Sequence, residues 1–215
     1  MPYVKPMLSV AEGTWFEGTD ISVKDLLDLL FKLQAMNPRY GYHREQFTTE
    51  ESLREALKYA FAKGRPEVLY IAAHGDTKGI HGFHDDTVDR QIIKEAIAGV
   101  TGTTKRGILF GSCLFGTEEN AKFFLEDPAC KRISWIAGYS QSISWIDASI
   151  LDLSFLQHLL FPSPGKGHPQ PKGLSAQMRY AVGKVDFCMK GLADDLGFQV
   201  YARDRKGTVV ALRKA

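Results

Sequence analysis

An α/β fold built on a mostly parallel central sheet is what this chain's pattern predicts, and three observations carry that reading. Short apolar runs stand at Val68-Leu69-Tyr70-Ile71-Ala72-Ala73, Gly107-Ile108-Leu109-Phe110 and Ile133-Ser134-Trp135-Ile136-Ala137. They have strand length and little polarity on either face, as strands covered by helices on both sides must. The stretches between them place apolar residues at helical spacing. The two kinds of segment alternate, which is the order that produces strand–helix–strand units.

The elements follow in order. Residues 7–11 read as a first strand. Residues 22–36 carry Val23, Leu26, Leu27, Leu30 and Leu33 on one helical face. Asn37-Pro38 ends that helix, because the residue before a proline is pushed out of the helical region. Residues 40–47 read as a second strand. Thr48 and Glu51 read as a capping box, opening a helix with Leu53, Ala56, Leu57, Ala60 and Phe61 on one face, and Gly64 stops it. The strand ending at Ala73 gives way to a polar loop to about Asp86, then a helix over 88–98. The strand ending at Phe110 leads to a helix over 118–126, and the strand 133–137 to a strongly apolar helix over 146–161. Residues 162–171 are rich in proline and glycine and read as a loop. A long helix covers 174–196. Two short strands, 198–202 and 208–212, close the chain, and Arg203-Asp204-Arg205-Lys206-Gly207 between them has hairpin length.

Size and composition bound the function. The 215 residues read as one domain over 1–215, long enough to hide roughly 70% of the unfolded surface. The chain is 44% hydrophobic and 24% charged with a formal net charge of +2, and its Lys and Arg are scattered. That balance points away from nucleic-acid and membrane partners. No apolar stretch reaches the roughly 18 residues of a membrane span. Met1-Pro2-Tyr3-Val4-Lys5-Pro6 lacks a signal-peptide core, so the expected location is cytoplasmic. Cys113, Cys130 and Cys188 are too few and dispersed for a disulfide framework and read as reduced thiols. Cys188, among Val185, Met189 and Leu192, reads as packing, and Cys130 carries no motif. Lys184 and Lys190 mark the solvated face of the last helix.

The chemistry gathers at two strand ends. One apolar run stops on His74-Gly75 and another on Gly111-Ser112-Cys113. In a parallel sheet with these strands adjacent, His74 and Cys113 meet at the carboxyl edge, where function collects in such folds. A thiol beside an imidazole is the minimum equipment of a cysteine nucleophile, since the thiolate is the reactive form and a histidine can take the proton. Cys113 also precedes the helix opening near Thr117, whose N-terminus favours negative charge. The amides of Gly75 and Cys113 suit an oxyanion site, and Gly75 permits close backbone approach. The bland alternatives stand beside this: a cysteine after an apolar strand is usually packing, and a histidine there is more often a satisfied polar residue. On residue chemistry alone both readings remain.

Other features are weaker. His81-x-x-His84, in a loop with Asp85, Asp86 and Asp89, has metal-ligand spacing, but no cysteine pair or third spaced ligand supports it, and the rim of a site is the better reading. No metal and no cofactor is expected. Trp135, Tyr139 and Trp145 are an aromatic pocket wall or core, with Trp135 assigned to the core.

The pattern Leu69-Tyr70-Ile71-Ala72-Ala73-His74-Gly75 followed by Ile108-Leu109-Phe110-Gly111-Ser112-Cys113 resembles the clan CD cysteine peptidases. These comprise caspases, metacaspases, gingipains, separases and CHAT domains, and the texture is most similar to CHAT and prokaryotic caspase-like proteins. The resemblance covers roughly residues 66–160; residues 1–50 and 170–215 have no counterpart. The separation of His74 and Cys113 is shorter than the caspase value of about 50 residues. The caspase pentapeptide is replaced by Ser112-Cys113-Leu114-Phe115-Gly116, so cleavage after Asp is not implied. What the resemblance implies is a caspase-like α/β/α sandwich and a thiol peptidase acting through an acyl-enzyme at Cys113. His74 would protonate the leaving amine, and the Gly75 and Cys113 amides would hold the oxyanion. Ser112 and Trp145 would contact substrate. In CHAT and separase-like members an acidic residue after the next strand lines the pocket for the side chain before the cut. Asp147 fits that place and would select Arg or Lys by charge pairing; an N-cap of the following helix is the alternative, and Asp152 is a second candidate. Partners would be a protein or peptide substrate and an activating ligand or partner protein, and prokaryotic relatives suggest a triggered effector of antiviral defence. The rivals are a silent binding scaffold and a thiol amidase or acyl transferase.

Overall fold

Five strands of one sheet run parallel because helices connect them and cover both faces. The structure is a computed structural model; it describes every residue except 1–4, 16–20, 35–39, 83–85, 168, 205 and 215. The parallel strands are β1 (Lys5–Glu12), β2 (Tyr40–Gln46), β3 (Val68–Ala72), β6 (Arg106–Gly111) and β7 (Ile133–Tyr139). β8 (Phe198–Arg203) and β9 (Val209–Arg213) add antiparallel at one edge, giving the order β2-β1-β3-β6-β7-β8-β9. A small second sheet pairs β4 (Gly79–His81) with β5 (Thr87–Asp89).

Alternation along each strand divides the core in two. Val68, Tyr70, Ala72, Leu109, Trp135, Ala137 and Tyr139 pack under α1 (Val23–Gln34), α5 (Trp145–Leu160), α6 (Leu174–Cys188) and α7 (Lys190–Asp195). Leu69, Ile71, Ala73, Ile108, Phe110 and Ile136 pack under α2 (Glu50–Phe61), α3 (Arg90–Ala98) and α4 (Glu118–Leu125). The result is the expected α/β/α sandwich with a mostly parallel sheet. β3 and β6 are buried at every position, which is why their sequences are apolar on both faces. Trp135 is fully buried, as expected. A Cβ on Gly107 would fall within 2.0 Å of its ring atom Cζ2, so glycine on β6 makes the space that the indole on β7 fills. Among the described residues no helix is long and apolar enough to cross a membrane.

Several elements differ from expectation for physical reasons. The capping box of α2 is Thr49 with Ser52: the Thr49 side chain accepts from Ser52 N, and the Ser52 hydroxyl takes the Thr49 amide. Thr48 and Glu51 lie one residue early. The polar loop after β3 holds the β4–β5 pair, whose strands are too short to show a period. Val88 belongs to β5, and Asp89 caps α3 through Gln91 N at 2.7 Å. Residues 35–39, including Met36 and Asn37-Pro38, and Arg205 lie outside the described residues. The helix expected over 174–196 breaks at Met189 into α6 and α7. The break lets Asp186 on α6 and Asp194 on α7 both reach the buried Arg213 guanidinium, at 2.8 and 2.5 Å. Cys188, expected to pack, is exposed beside Phe187 at the end of α6, where the helix has turned off the core.

Arg213 therefore ties β9 to both helices, and it also donates to the Ala193 and Phe198 carbonyls. Arg213→Met is expected to cost about 2 kcal/mol or more, read as a lower midpoint in urea unfolding; a loss within about 0.5 kcal/mol, the range of an ordinary surface change, would refute that role.

Candidate active site

The register of β3 and β6 sets the site. Ala72 and Gly111 are paired at the ends of the two strands, so His74 and Cys113, each two residues further on, emerge side by side at the carboxyl edge. Both line one cavity of about 80 Å3 with Trp15, Tyr70, Gly111, Ile143, Trp145, Ala148, Ser149 and Asp152. The alternation that puts Tyr70 and Leu109 under α5 puts Gly111 and Cys113 on that side too.

His74 is held by backbone. Its carbonyl accepts from His81 N at 2.8 Å, and Asp76 N donates to Gly79 O at 3.0 Å, which pins residues 74–76 to β4. Its Nε2–H donates to the Trp15 carbonyl at 2.5 Å. A carbonyl can only accept, so Nε2 carries a proton; in the neutral ring that leaves Nδ1 as the acceptor nitrogen. The Trp15 ring stands edge-on to the imidazole with centroids 5.4 Å apart.

Cys113 is half-buried. Its Sγ accepts from Ile143 N at 3.4 Å and faces Ile143 O at 3.8 Å, so the loop between β7 and α5 lies against the thiol. Directly after it, Leu114 has φ of 60°, the one non-glycine residue with positive φ among the described residues. That conformation costs about 1 kcal/mol. It is held by Leu114 N donating to Gln141 O at 3.1 Å and Gly116 N to Tyr139 O at 2.8 Å. Strain at this point turns the chain sharply off the strand and leaves Cys113 at the apex. Asn120 on α4 then bonds Thr77 O at 3.2 Å and Phe115 O at 3.0 Å, which ties the loop after His74 to the turn after Cys113.

Gly75 packs directly on the backbone of Ser112 and Cys113: a Cβ there would lie 3.0 Å from Ser112 Cβ and 3.3 Å from Cys113 O. The backbones of Gly75 and of residues 112–113 are thus in close contact. Ser112 faces the other way. It is 1% exposed, stands outside the cavity lining, and its hydroxyl has no partner among the described residues. Trp145 does line the cavity, and its indole N–H is likewise buried without a described partner. Tyr139 is fully buried and works from within the core.

The acidic residue of the cavity is Asp152. Asp147 sits in the first turn of α5, half-buried and outside the cavity lining. The N-cap of α5 is Ser144, without a side-chain cap bond, so Asp147 does not cap the helix either. Five residues along a helix rotate a side chain by about 140°, and that rotation turns Asp152 inward. It is 3% exposed. Oδ2 accepts from the Tyr70 hydroxyl and Oδ1 from the Tyr139 hydroxyl, both at 2.7 Å. Burial pushes its pKa up to about 7 against the downward pull of the two hydroxyls. Burial, joined by the carboxylate, holds both tyrosines well above their ordinary value. Gly111 is required here, because a Cβ would sit 2.8 Å from Asp152 Oδ2 and 2.7 Å from the Tyr70 ring.

Trp15, Ile143 and Tyr70 had no signal in the sequence. Asp152 had one: a carboxylate on the buried phase of an apolar helix. His81 Nε2 pairs with Asp76 at 3.2 Å; His84 and Asp85 lie outside the described residues.

Between pH 4 and 7 folded Asp152 keeps a proton that the unfolded chain has released, so this group's contribution to stability declines as pH rises through that window. Asp152→Asn should remove the decline, measured as melting temperature at pH 5 and pH 8. Equal pH dependence in the two proteins would show that Asp152 is not the buried acid described.

No family model matches this chain, and no curated protein matches it in sequence. Solved structures do match in fold. One is the Arg-specific cysteine proteinase gingipain R (RGPB), with a TM-score of 0.52 at 11% sequence identity. The match covers 90% of this chain and 44% of that one, so this chain spans less than half of the gingipain chain's length. At that identity the likeness establishes the caspase-like fold.

Proposed function

We propose that this chain is a cysteine peptidase that cuts after Arg or Lys. The observation that carries the reading is a single cavity holding an imidazole, a thiol and a buried carboxylate: His74, Cys113 and Asp152. The fold likeness to an Arg-specific cysteine proteinase supports it.

The chemistry follows from the groups present. His74 Nδ1 takes the thiol proton, and Cys113 Sγ attacks the scissile carbonyl carbon. The carbonyl oxygen gains the negative charge, and the Gly75 and Cys113 amides receive it. Collapse of the tetrahedral intermediate breaks the C–N bond, and His74 gives its proton to the departing amine. Water, deprotonated by His74, then attacks the thioester and releases the carboxylate and the thiol. The side chain before the cut enters the cavity toward Asp152. A cation there replaces lost solvation with a charge-assisted hydrogen bond and favours the ionised carboxyl. Ile143 must leave Cys113 Sγ for the substrate to enter, so the resting thiol is covered. The substrate is a protein or peptide; a triggered effector role in antiviral defence rests on the resemblance of residues 66–160 to CHAT-type proteins.

A panel of peptides with Arg, Lys, Asp or Leu before the cut tests the reading. Arg and Lys peptides should be cleaved and the others spared, with cleavage abolished in Cys113→Ala. Asp152→Asn should raise KM for the basic peptides by about tenfold or more, the weight of one charged hydrogen bond, while Asp147→Asn leaves it unchanged. Because free Asp152 ionises near pH 7, kcat/KM for the Arg peptide should climb through that pH in the wild type. Turnover that survives Cys113→Ala sinks the mechanism, and a preference for Asp or Leu sinks the pocket.

A further inference from the structure

Glu12 ends β1 and is 1% exposed. A carboxylate taken out of water is costly unless its oxygens are fully engaged, and here both are. Oε1 accepts from Val23 N at 2.7 Å and Trp15 Nε1 at 3.1 Å. Oε2 accepts from Ser22 Oγ at 2.9 Å and Arg44 Nε at 2.5 Å. Arg44 Nη2 also reaches Ser22 Oγ at 3.2 Å. The donors come from β2, from the start of α1 and from Trp15, so one buried carboxylate gathers both ends of the connection between β1 and α1.

Joining a strand to a helix does not need a buried charge; apolar packing would hold as well or better. What this arrangement fixes is Trp15. Gly13 N donates to Ala72 O at 2.9 Å, two residues before His74. Trp15 is thereby anchored through backbone on one side and through its indole N–H to Glu12 on the other. Its carbonyl is the acceptor of His74 Nε2–H, its ring stands edge-on to the imidazole, and it meets Trp145 edge-on at 6.3 Å. A carboxylate suits the task because it accepts from four donors at once without offering any of its own.

We propose that Glu12 is a positioning residue for His74. Through Trp15 it holds the imidazole with the proton on Nε2, so that Nδ1 serves Cys113. Glu12 touches no reacting atom, and its catalytic part rests on the peptidase reading above. Glu12→Gln keeps the shape but places an amide N–H2 among donors, which unseats Trp15.

The test pairs kinetics on the Arg peptide with 15N NMR of the His74 ring. The wild type should show the Nε2–H tautomer. Glu12→Gln should show a tautomer mixture and lose kcat by about ten- to a hundredfold, as expected when a catalytic group is misplaced, with KM changed by less than about twofold. Trp15→Phe keeps the carbonyl and an aromatic ring beside the imidazole and removes the indole bond to Glu12; it should move both readouts the same way by less, and it decides the matter if Glu12→Gln does not fold. A folded variant with lowered melting temperature but an unchanged His74 tautomer and kcat would make Glu12 purely structural and overturn the proposal, as would a wild type that already shows the mixture. The ring signal needs no substrate. If no peptide is turned over, the peptidase reading fails while the tautomer still decides whether Glu12 orients His74.

Discussion

The parallel pairing of β3 with β6 is the constraint on which the rest depends. Its register, Val68 opposite Gly107 through Ala72 opposite Gly111, brings two distant stretches of chain to the same edge and the same face. The two reactive side chains of the candidate site hang from that pairing. His74 and Cys113 continue the two strands, and Tyr70 points from one strand into the space that Gly111 leaves on the other. Because both strands are wholly buried, slipping the register by one residue would turn every apolar side chain to the wrong layer. The geometry of the candidate site thus inherits its precision from hydrophobic burial.

Around that edge the backbone is held by hydrogen bonds from loops rather than by the sheet. Residues 74–76 are tied to β4, the turn after Cys113 to the β7–α5 loop, and both to Asn120. Leu114 accepts an unfavourable φ within this network, and the surrounding bonds offset the strain. Two buried carboxylates divide the labour. Glu12, saturated by four donors, builds the wall that carries Trp15. Asp152 has two tyrosine donors and a face on the cavity, so burial dominates it and its proton is held near neutrality. A fully satisfied carboxylate fixes structure, while a partly satisfied one is available to a ligand.

Much of the fold was legible because burial leaves a period. The apolar runs of β3, β6 and β7 and the face of α2 could be read directly, and so could the two strand ends that carry His74 and Cys113. Features set by single bonds were not. The α2 cap falls on Thr49 and Ser52 rather than one residue earlier, since Thr48 and Thr49 offer the same hydroxyl and only backbone geometry chooses between them. The break at Met189 answers to Arg213, far along the chain, and the β4–β5 pair is too short for any periodicity. The sequence puts Asp147 ahead of Asp152; helix phase relative to the sheet reverses that order, turning only Asp152 toward Tyr70 and Tyr139.

The sequence by itself determined the layers, the strand ends and the two reactive side chains, because hydrophobic pattern and residue chemistry are local properties. The tertiary structure decided which acid shares their cavity, which backbone carbonyl orients the imidazole, and what covers the thiol. Those depend on Trp15, Ile143 and Asp152, which approach His74 and Cys113 from segments far apart in the chain, and only packing across the α5 face of the sheet brings them together.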